Sequence, residues 1–303
     1  MKILITGGLG FVGANLSDYL LDQGHSVIAV GRASTQNRIT SERYRYISAD
    51  TTRPGEWQQA LGDVDGVVNL VGKSIFKRWS KPYKKEIYDS RILTTRHVVD
   101  ALPAGKSVVL CSTSGAGFYG NRGDDFLKED EKPGNDFLAT VSVDWEAEAF
   151  KGTDKGIRVA VMRFGVILGK HGGSMAKMVP AFKFFVGGPI GRGTQWFPWI
   201  HLADLMAAIL FIFENQQVKG AINFCAPQAV RNREFAKTLG EVLRRPAVMP
   251  APAFMIRMLF GEFGNLLLYS QRTIPDKLLS YGFEFQYPNV RSAIKEVVSY
   301  KLS

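Results

Sequence analysis

The chain has 303 residues, 46% hydrophobic and 22% charged, with a formal net charge of +10. This is enough length for one large domain or two unequal ones with a sizeable core, and the balance argues against a disordered chain. No apolar run reaches the roughly 18 residues of a membrane span, and one lysine followed by a glycine loop does not read as a signal peptide.

Lys2 to Thr6 is short, apolar and β-branched, the pattern of a buried parallel strand. Gly7, Gly10 and Gly13 follow at G-x-x-G-x-x-G spacing and run into an amphipathic helix over Ala14 to Asp22, closed by Gly24. Glycines there let the chain turn sharply, approach a diphosphate with no Cβ in the way, and pack the helix closely on the strand. The helix N-terminus then offers unpaired N–H groups and partial positive charge. Strand, glycine triplet and helix in that order predict a dinucleotide site, with Gly7, Gly10, Phe11, Val12 and Gly13 as contacts.

Further strands are expected over Ser26 to Val30, Arg45 to Ile47, Gly66 to Gly72, Ser107 to Ser112 and Arg158 to Val166. Helices fall between them: a short one at Trp57 to Leu61, a long one at about Lys81 to Leu102, and another at Asp136 to Gly152. This alternation predicts an α/β, doubly wound parallel sheet (a Rossmann fold) that binds ligands at the carboxyl ends of its strands. Beyond residue 170 the alternation weakens into a Gly/Pro-rich stretch. A helix at Asp204 to Glu214 and a strand at Ala221 to Phe224 are expected to return to the sheet. The domain reading is therefore 1–170, with 200–225 returning, for the cofactor, and 171–199 with 226–303 as a smaller, mostly helical substrate lobe.

The second strand ends in Gly31-Arg32-Ala33-Ser34, where an NAD site usually carries an acid that accepts from the ribose 2′-hydroxyl. A guanidinium instead holds a 2′-phosphate through charge-assisted hydrogen bonds, so Arg32 predicts NADP (NADPH). Asp50 is a candidate for the adenine edge, or else caps the turn before Thr51-Thr52. Leu70, Val71 and Gly72, leaving the fourth strand, complete the expected cofactor contacts. Lys73 to Lys85 concentrates basic residues that either steer an anionic ligand or form a solvated helix face. The other charges are scattered, so neither nucleic acid nor membrane is an expected partner. Cys111 and Cys225 sit in apolar strand-like runs and read as buried free thiols of a reducing compartment, the cytoplasm by default.

With Thr6 to Gly13, Ala49-Asp50, Asn69 to Gly72 and Phe118-Tyr119-Gly120 on the page, the chain resembles the extended short-chain dehydrogenase/reductase superfamily, of the NAD(P)-dependent epimerase/dehydratase type. Arg78-Trp79, Ser90-Arg91-Ile92, Gly187 to Gly191 with Gln195, Trp199 to Asp204, and tail segments such as Gln271-Arg272 narrow the likeness to the epimerase-related, YfcH-like family. The resemblance implies a Tyr-x-x-x-Lys pair in which the phenolate exchanges a proton as hydride moves. Counting back from Asp144-Trp145-Glu146 puts Leu138 at the tyrosine position and Ser142 at the lysine position, and no tyrosine of the chain has Lys four residues later. The acid/base pair is absent.

Ser114 falls at the superfamily's hydroxyl position and is the first candidate for a catalytic group; Tyr119 is the second, unless it only packs. For a substrate, Arg78 and Trp79 offer a cation beside an aromatic ring, Gly188 a close backbone approach, and Gln195 and Trp199 polar and stacking contacts. His201 and Asp204 suit a helix cap, and no cluster suggests a metal. Two functions stay open: an NADP(H)-dependent, epimerase-like oxidoreductase acting on a small, anionic or nucleotide-linked substrate, and a catalytically silent NADP(H)-binding regulatory protein. A homodimer is an open alternative to a monomer.

Overall fold

A computed structural model describes residues 1–36, 38–170 and 172–299. Residues 300–303, assigned above to the smaller lobe, lie outside the described residues. Seven strands form one parallel sheet: β1 (Lys2–Thr6), β2 (Ser26–Gly31), β3 (Tyr44–Ser48), β4 (Gly66–Asn69), β5 (Val109–Gly115), β6 (Arg158–Phe164) and β7 (Gly220–Phe224). Their order is β7-β6-β5-β4-β1-β2-β3. The direction of winding reverses between β1 and β4, so the crevice outside their carboxyl ends is where a ligand sits in such a sheet.

Side-chain alternation along β1 explains the two helical layers. Ile3 and Ile5 point into a core with Leu16 and Leu20 of α1 (Phe11–Asp22), while Leu4 points into the opposite core with Val67, Val98 and Val99. That second core is closed by α2 (Lys81–Ala101) and α3 (Phe137–Phe150), which pack on each other. Residues 175–183 form α4 (Met175–Lys183), and α5 (Leu202–Glu214) lies beside α1 in the first core. Gly220–Phe224 pairs in parallel with β6, so the chain does come back to the sheet after residue 200. A third core around Trp199, Phe235 and Ile294 joins α6 (Asn232–Leu243) to α10 (Val290–Val298), with α7 (Ala253–Phe260), α8 (Glu262–Leu266) and α9 (Asp276–Ser280) between them in the chain.

Several boundaries differ from the sequence reading, and three of them near the crevice bear on the site. β4 ends at Asn69 rather than Gly72, because Leu70 and Val71 leave the sheet to run beside Gly7. β5 runs on to Gly115, which places Ser114 inside the strand. The sixth run breaks at Gly165, where a Cβ would stand 3.0 Å from the carbonyl carbon of Pro198. Val166–Leu168 then pairs with Trp199–His201 instead of continuing β6.

A polar knot holds the carboxyl ends together. The fully buried Asn69 accepts from Thr6 Oγ1 at 2.7 Å and donates to Thr95 Oγ1 at 2.8 Å, tying β4 to β1 and α2. Asn69→Leu should therefore cost about 3 kcal/mol, since it strands buried hydroxyls rather than removing one exposed bond. Urea unfolding measures it, and an unchanged midpoint would contradict the assignment.

Candidate functional site

Gly7 takes a left-handed conformation (φ +71°), and a Cβ at Gly13 would stand 2.4 Å from the Gly7 carbonyl oxygen. Only glycine permits that approach, which brings the first turn of α1 down onto the end of β1. Gly10 is the N-cap and carries no side chain, so no cap competes for the N–H groups of Phe11, Val12 and Gly13. Leu70 and Val71 form the opposite wall, 3.3 to 3.4 Å from where a Gly7 Cβ would lie. This cradle fits a diphosphate: backbone donors, the positive end of a helix and no side chain in between.

Arg32 is exposed at the end of β2, beside the glycine loop, where the Leu9 side chain lies over Gly31. Asp50 ends β3's exit with Oδ1 accepting from the backbone N–H and hydroxyl of Thr52, at 3.1 and 2.7 Å. Those bonds, above all the one from the hydroxyl, hold the carboxyl below the usual carboxylate range. Of the two roles read from the sequence, the structure holds the turn cap.

Next to the cradle opens a cavity of about 460 Å³. Phe11, Leu70 and Gly72 border it on the cradle side, Thr113 and Ser114 on β5, and Leu138, Ser142 and Trp145 on α3. Phe263, Leu267 and Gln271 close it from the C-terminal segments. Gln271 Nε2 donates to the carbonyls of Ala116 and Gly120, at 2.9 and 3.0 Å, which locks that closure onto the exit of β5. Among the described lining residues the only ionisable side chain is Arg91, from α2.

Behind Ser114 lies a buried network. Ser114 Oγ donates to Glu146 Oε1 at 2.7 Å, and Arg163 grips both carboxylate oxygens, Nε to Oε1 at 2.9 Å and Nη2 to Oε2 at 2.8 Å. The Ser114 proton is thereby committed, and its lone pairs are what face a ligand.

Tyr119 belongs to the same network and not to the cavity. Its hydroxyl donates to Asn223 Oδ1 at 2.6 Å and accepts from Arg163 Nη1 at 2.9 Å, with the ring fully buried. Burial pushes the phenol up to about 12 in spite of Arg163. In this position the hydroxyl braces Asn223 and Arg163, and the residue does not line the cavity.

The residues read as substrate contacts, Arg78, Trp79, Gly188, Gln195 and Trp199, do not line this cavity. A Cβ at Gly188 would meet the Met249 carbonyl oxygen at 2.0 Å, so this glycine serves a chain crossing. Gln195 is spent on the carbonyls of Ile190 and Leu267, and Trp199 Nε1 on that of Gln228. Trp79 lies outside the cavity wall, its ring 5.3 Å from Phe137 and 6.1 Å from Phe263, and exposed Arg78 lays its stem along Gly261. His201 caps α5 through Nδ1 and meets Glu296 through Nε2 at 2.9 Å. Among the described residues, no group of His, Cys, Asp and Glu is arranged to hold a metal.

Comparison with known proteins fits this geometry. The sequence profile described as the NAD dependent epimerase/dehydratase family matches residues 3–225. The chain belongs to that family. A second profile, a domain of unknown function (DUF1731), covers residues 251–297 and so the segments that close the cavity. The chain is 37% identical over 302 residues to an Arabidopsis thaliana protein described as a chloroplastic homolog of epimerase family protein SDR39U1, covering 98% of this chain and 87% of that one. Human SDR39U1, solved with NADPH, superposes with a TM-score of 0.87 at 31% identity over 99% of this chain and 100% of its own. A nucleoside-diphosphate sugar epimerase from Corynebacterium glutamicum gives 0.78 at 31% identity, over 99% of this chain and 59% of its own.

Leu138 and Ser142 line the cavity on the face of α3 turned toward β5, with the Leu138 side chain 3.5 Å from where a Gly117 Cβ would lie. No proton-transferring pair stands there. Arg91, Thr113, Trp145 and Gln271 were not singled out as site residues; Arg91 and Gln271 lie in segments that carried the family likeness. Tyr119→Phe should cost about 1–2 kcal/mol by stripping hydrogen bonds from buried Asn223 and Arg163. Chemical unfolding of the purified variant measures this, and full wild-type stability would mean that the hydroxyl is not a brace.

Proposed function

We propose that the chain is an NADP(H)-binding, epimerase-like oxidoreductase of the extended short-chain type, kin to the YfcH-like proteins, that works without a Tyr-x-x-x-Lys pair. The observation that carries this reading is the continuity of the glycine cradle with a cavity bounded by Ser114. The human relative solved with NADPH supports the choice of cofactor, as does Arg32, which stands where an acid would repel a 2′-phosphate. Both cysteines are free and buried, which suits a reducing compartment such as the cytoplasm.

The residues divide the work as follows. The first-turn N–H groups of α1 hold the diphosphate, Arg32 the 2′-phosphate, and Leu70 to Gly72 the flank of the cofactor. When bound, NADPH supplies a hydride equivalent. Ser114, its own proton given to Glu146, has only lone pairs to offer a ligand, and so accepts a hydrogen bond from the hydroxyl that carbonyl reduction creates. The apolar walls and the C-terminal closure narrow the cavity but leave it open enough for water to enter. With no carboxylic acid, histidine, lysine or tyrosine among the described lining residues, the proton is exchanged with solvent. This burdens a two-way epimerisation more than a one-way reduction, so reduction of a small carbonyl compound is the favoured reaction.

The same absence favours the second reading, a catalytically silent NADP(H)-binding regulator. Purified protein screened with NADPH against carbonyl compounds and nucleotide sugars, followed by absorbance, separates the two. Turnover that falls at least about tenfold in Ser114→Ala supports the enzyme; tight NADPH binding with no turnover across the panel favours the regulator. On the cofactor, Arg32→Ala should weaken NADPH by about 2 kcal/mol and leave NADH nearly unchanged. Calorimetric titration of both cofactors decides this, and equal losses would sink the 2′-phosphate assignment.

A further inference from the structure

Arg163 is buried and Arg158 and Arg91 are half-buried, and the first two are held by partners within the fold. Arg163 has a bidentate carboxylate in Glu146. Arg158 caps the end of α5, donating through Nη1 to the carbonyls of Ile212, Asn215 and Val218 at 2.8, 3.2 and 2.9 Å. Arg91, in the cavity wall, has neither arrangement. Its Nη1 donates to the carbonyls of Ile87 and Lys73, at 2.9 and 3.2 Å, which fixes the plane of the guanidinium. The ring of Trp145 lies 5.1 Å from its Cζ. Among the described residues no carboxylate pairs with it. Burial draws it down to about 10, the direction expected of a cation held away from water without a counter-charge.

The edge that remains is Nε–Nη2, which has no hydrogen-bond partner among the described residues. Gly72 covers one face of the guanidinium: a Cβ there would stand 3.0 Å from Cζ and Nη2 and 3.4 Å from Nε, so glycine lets the chain lie flat on that face and leaves the edge uncovered. Two parallel N–H donors on one edge of a guanidinium match the two oxygens of a carboxylate. One uncompensated positive charge balances one carboxylate, whereas a phosphate dianion would call for a second cation. The cofactor's own phosphates have other partners in the reading above, the first turn of α1 and Arg32. A second polar group of the same wall, Thr113 Oγ1, has no hydrogen-bond partner among the described residues. Around them the wall is apolar, with Leu70, Ile75, Val141 and Phe263.

We infer that Arg91 is the carboxylate-recognising residue of this cavity, and that the substrate is a small monocarboxylic acid with an apolar body. The inference rests on the reading of the cavity as a substrate site, and it names the chemistry that site selects.

The test uses a matched pair of aryl ketones, benzoylformate and acetophenone, one with the carboxylate and one without. Each is titrated calorimetrically into the full chain, alone and loaded with NADP⁺, whose oxidised ring prevents reduction during the measurement. Benzoylformate should bind the loaded protein at least about tenfold more tightly than acetophenone. Arg91→Gln should abolish that preference, and Arg91→Lys, which keeps the charge but not the fork, should retain part of it. The affinity of both variants for NADP⁺ should stay within about twofold of wild type, which also shows that they fold. No preference for the acid in the wild type, or one that survives in Arg91→Gln, overturns the inference. A tenfold loss of NADP⁺ affinity in Arg91→Gln also overturns it, by giving the guanidinium to the cofactor. Failure of the wild type to bind NADP⁺ would instead defeat the cofactor reading, and the acid preference of the unloaded protein would still be measured.

Discussion

The buried pair of Arg163 and Glu146 is the interaction on which the site depends. It joins the end of β6 to the middle of α3 with both partners withdrawn from water, and it recruits Ser114 from β5, Tyr119 beyond it and the carbonyl of Glu129. Asn223 on β7 enters through Tyr119, and its backbone N–H donates to Glu129 Oε1. Four elements that share no local sequence are thereby held in one register. Removing one partner of such a pair typically costs about 3–5 kcal/mol, because the other charge is left unpaired in a low dielectric. Here the consequence is also chemical: the pair decides where the Ser114 proton goes, and so how Ser114 meets a ligand.

The second constraint is closure from the C-terminal side. Gln271 reaches the carbonyls at the exit of β5, while Asp204 accepts the backbone N–H groups of Gln286 and Tyr287 at 2.7 and 3.1 Å. His201 holds α10 through Glu296. These ties run from the α5 region and the β5 loop to residues some 80 to 155 positions later, and they fasten the tail over a cavity that the sheet alone would leave open. Polar residues that look like chemistry in the sequence are here the fasteners. What remains on the inner face is mainly apolar, with Thr113, Ser114, Ser142 and Gln271 among its polar groups and Arg91 as the one charged residue among the described lining residues.

The cofactor half of this arrangement was legible in the sequence because its rules are local. A β-branched strand, glycines at fixed spacing and a following helix constrain one another within thirteen residues, and the backbone geometry of Gly7 and Gly13 is what that spacing requires. The substitution of Leu138 and Ser142 for the proton-transferring pair was legible for the same reason, as an offset along one helix. The other half was not, because a side chain's role there depends on partners far away in the chain. Tyr119 reads as a candidate acid until Arg163 and Asn223 are seen to hold it, 44 and 104 residues distant. Gln195, Trp199 and Gly188 read as ligand contacts in the sequence, whereas in the fold the first two bond distant carbonyls and the third lies at a chain crossing. Arg91 is the converse case: within a basic, solvated-looking helix nothing local marks one arginine as the one turned inward.

A crystal structure of the NADPH complex tests the central claim most directly, since that claim joins a cofactor cradle to a cavity with no proton-transferring side chain. The account predicts the diphosphate on the N–H groups of Phe11, Val12 and Gly13 and the 2′-phosphate on Arg32. It also predicts the nicotinamide at the cavity mouth, with no carboxylic acid, histidine, lysine or tyrosine side chain within hydrogen-bonding reach of a ligand there. A nicotinamide lying outside the cavity, or a tyrosine or lysine swung in beside it, would contradict the account.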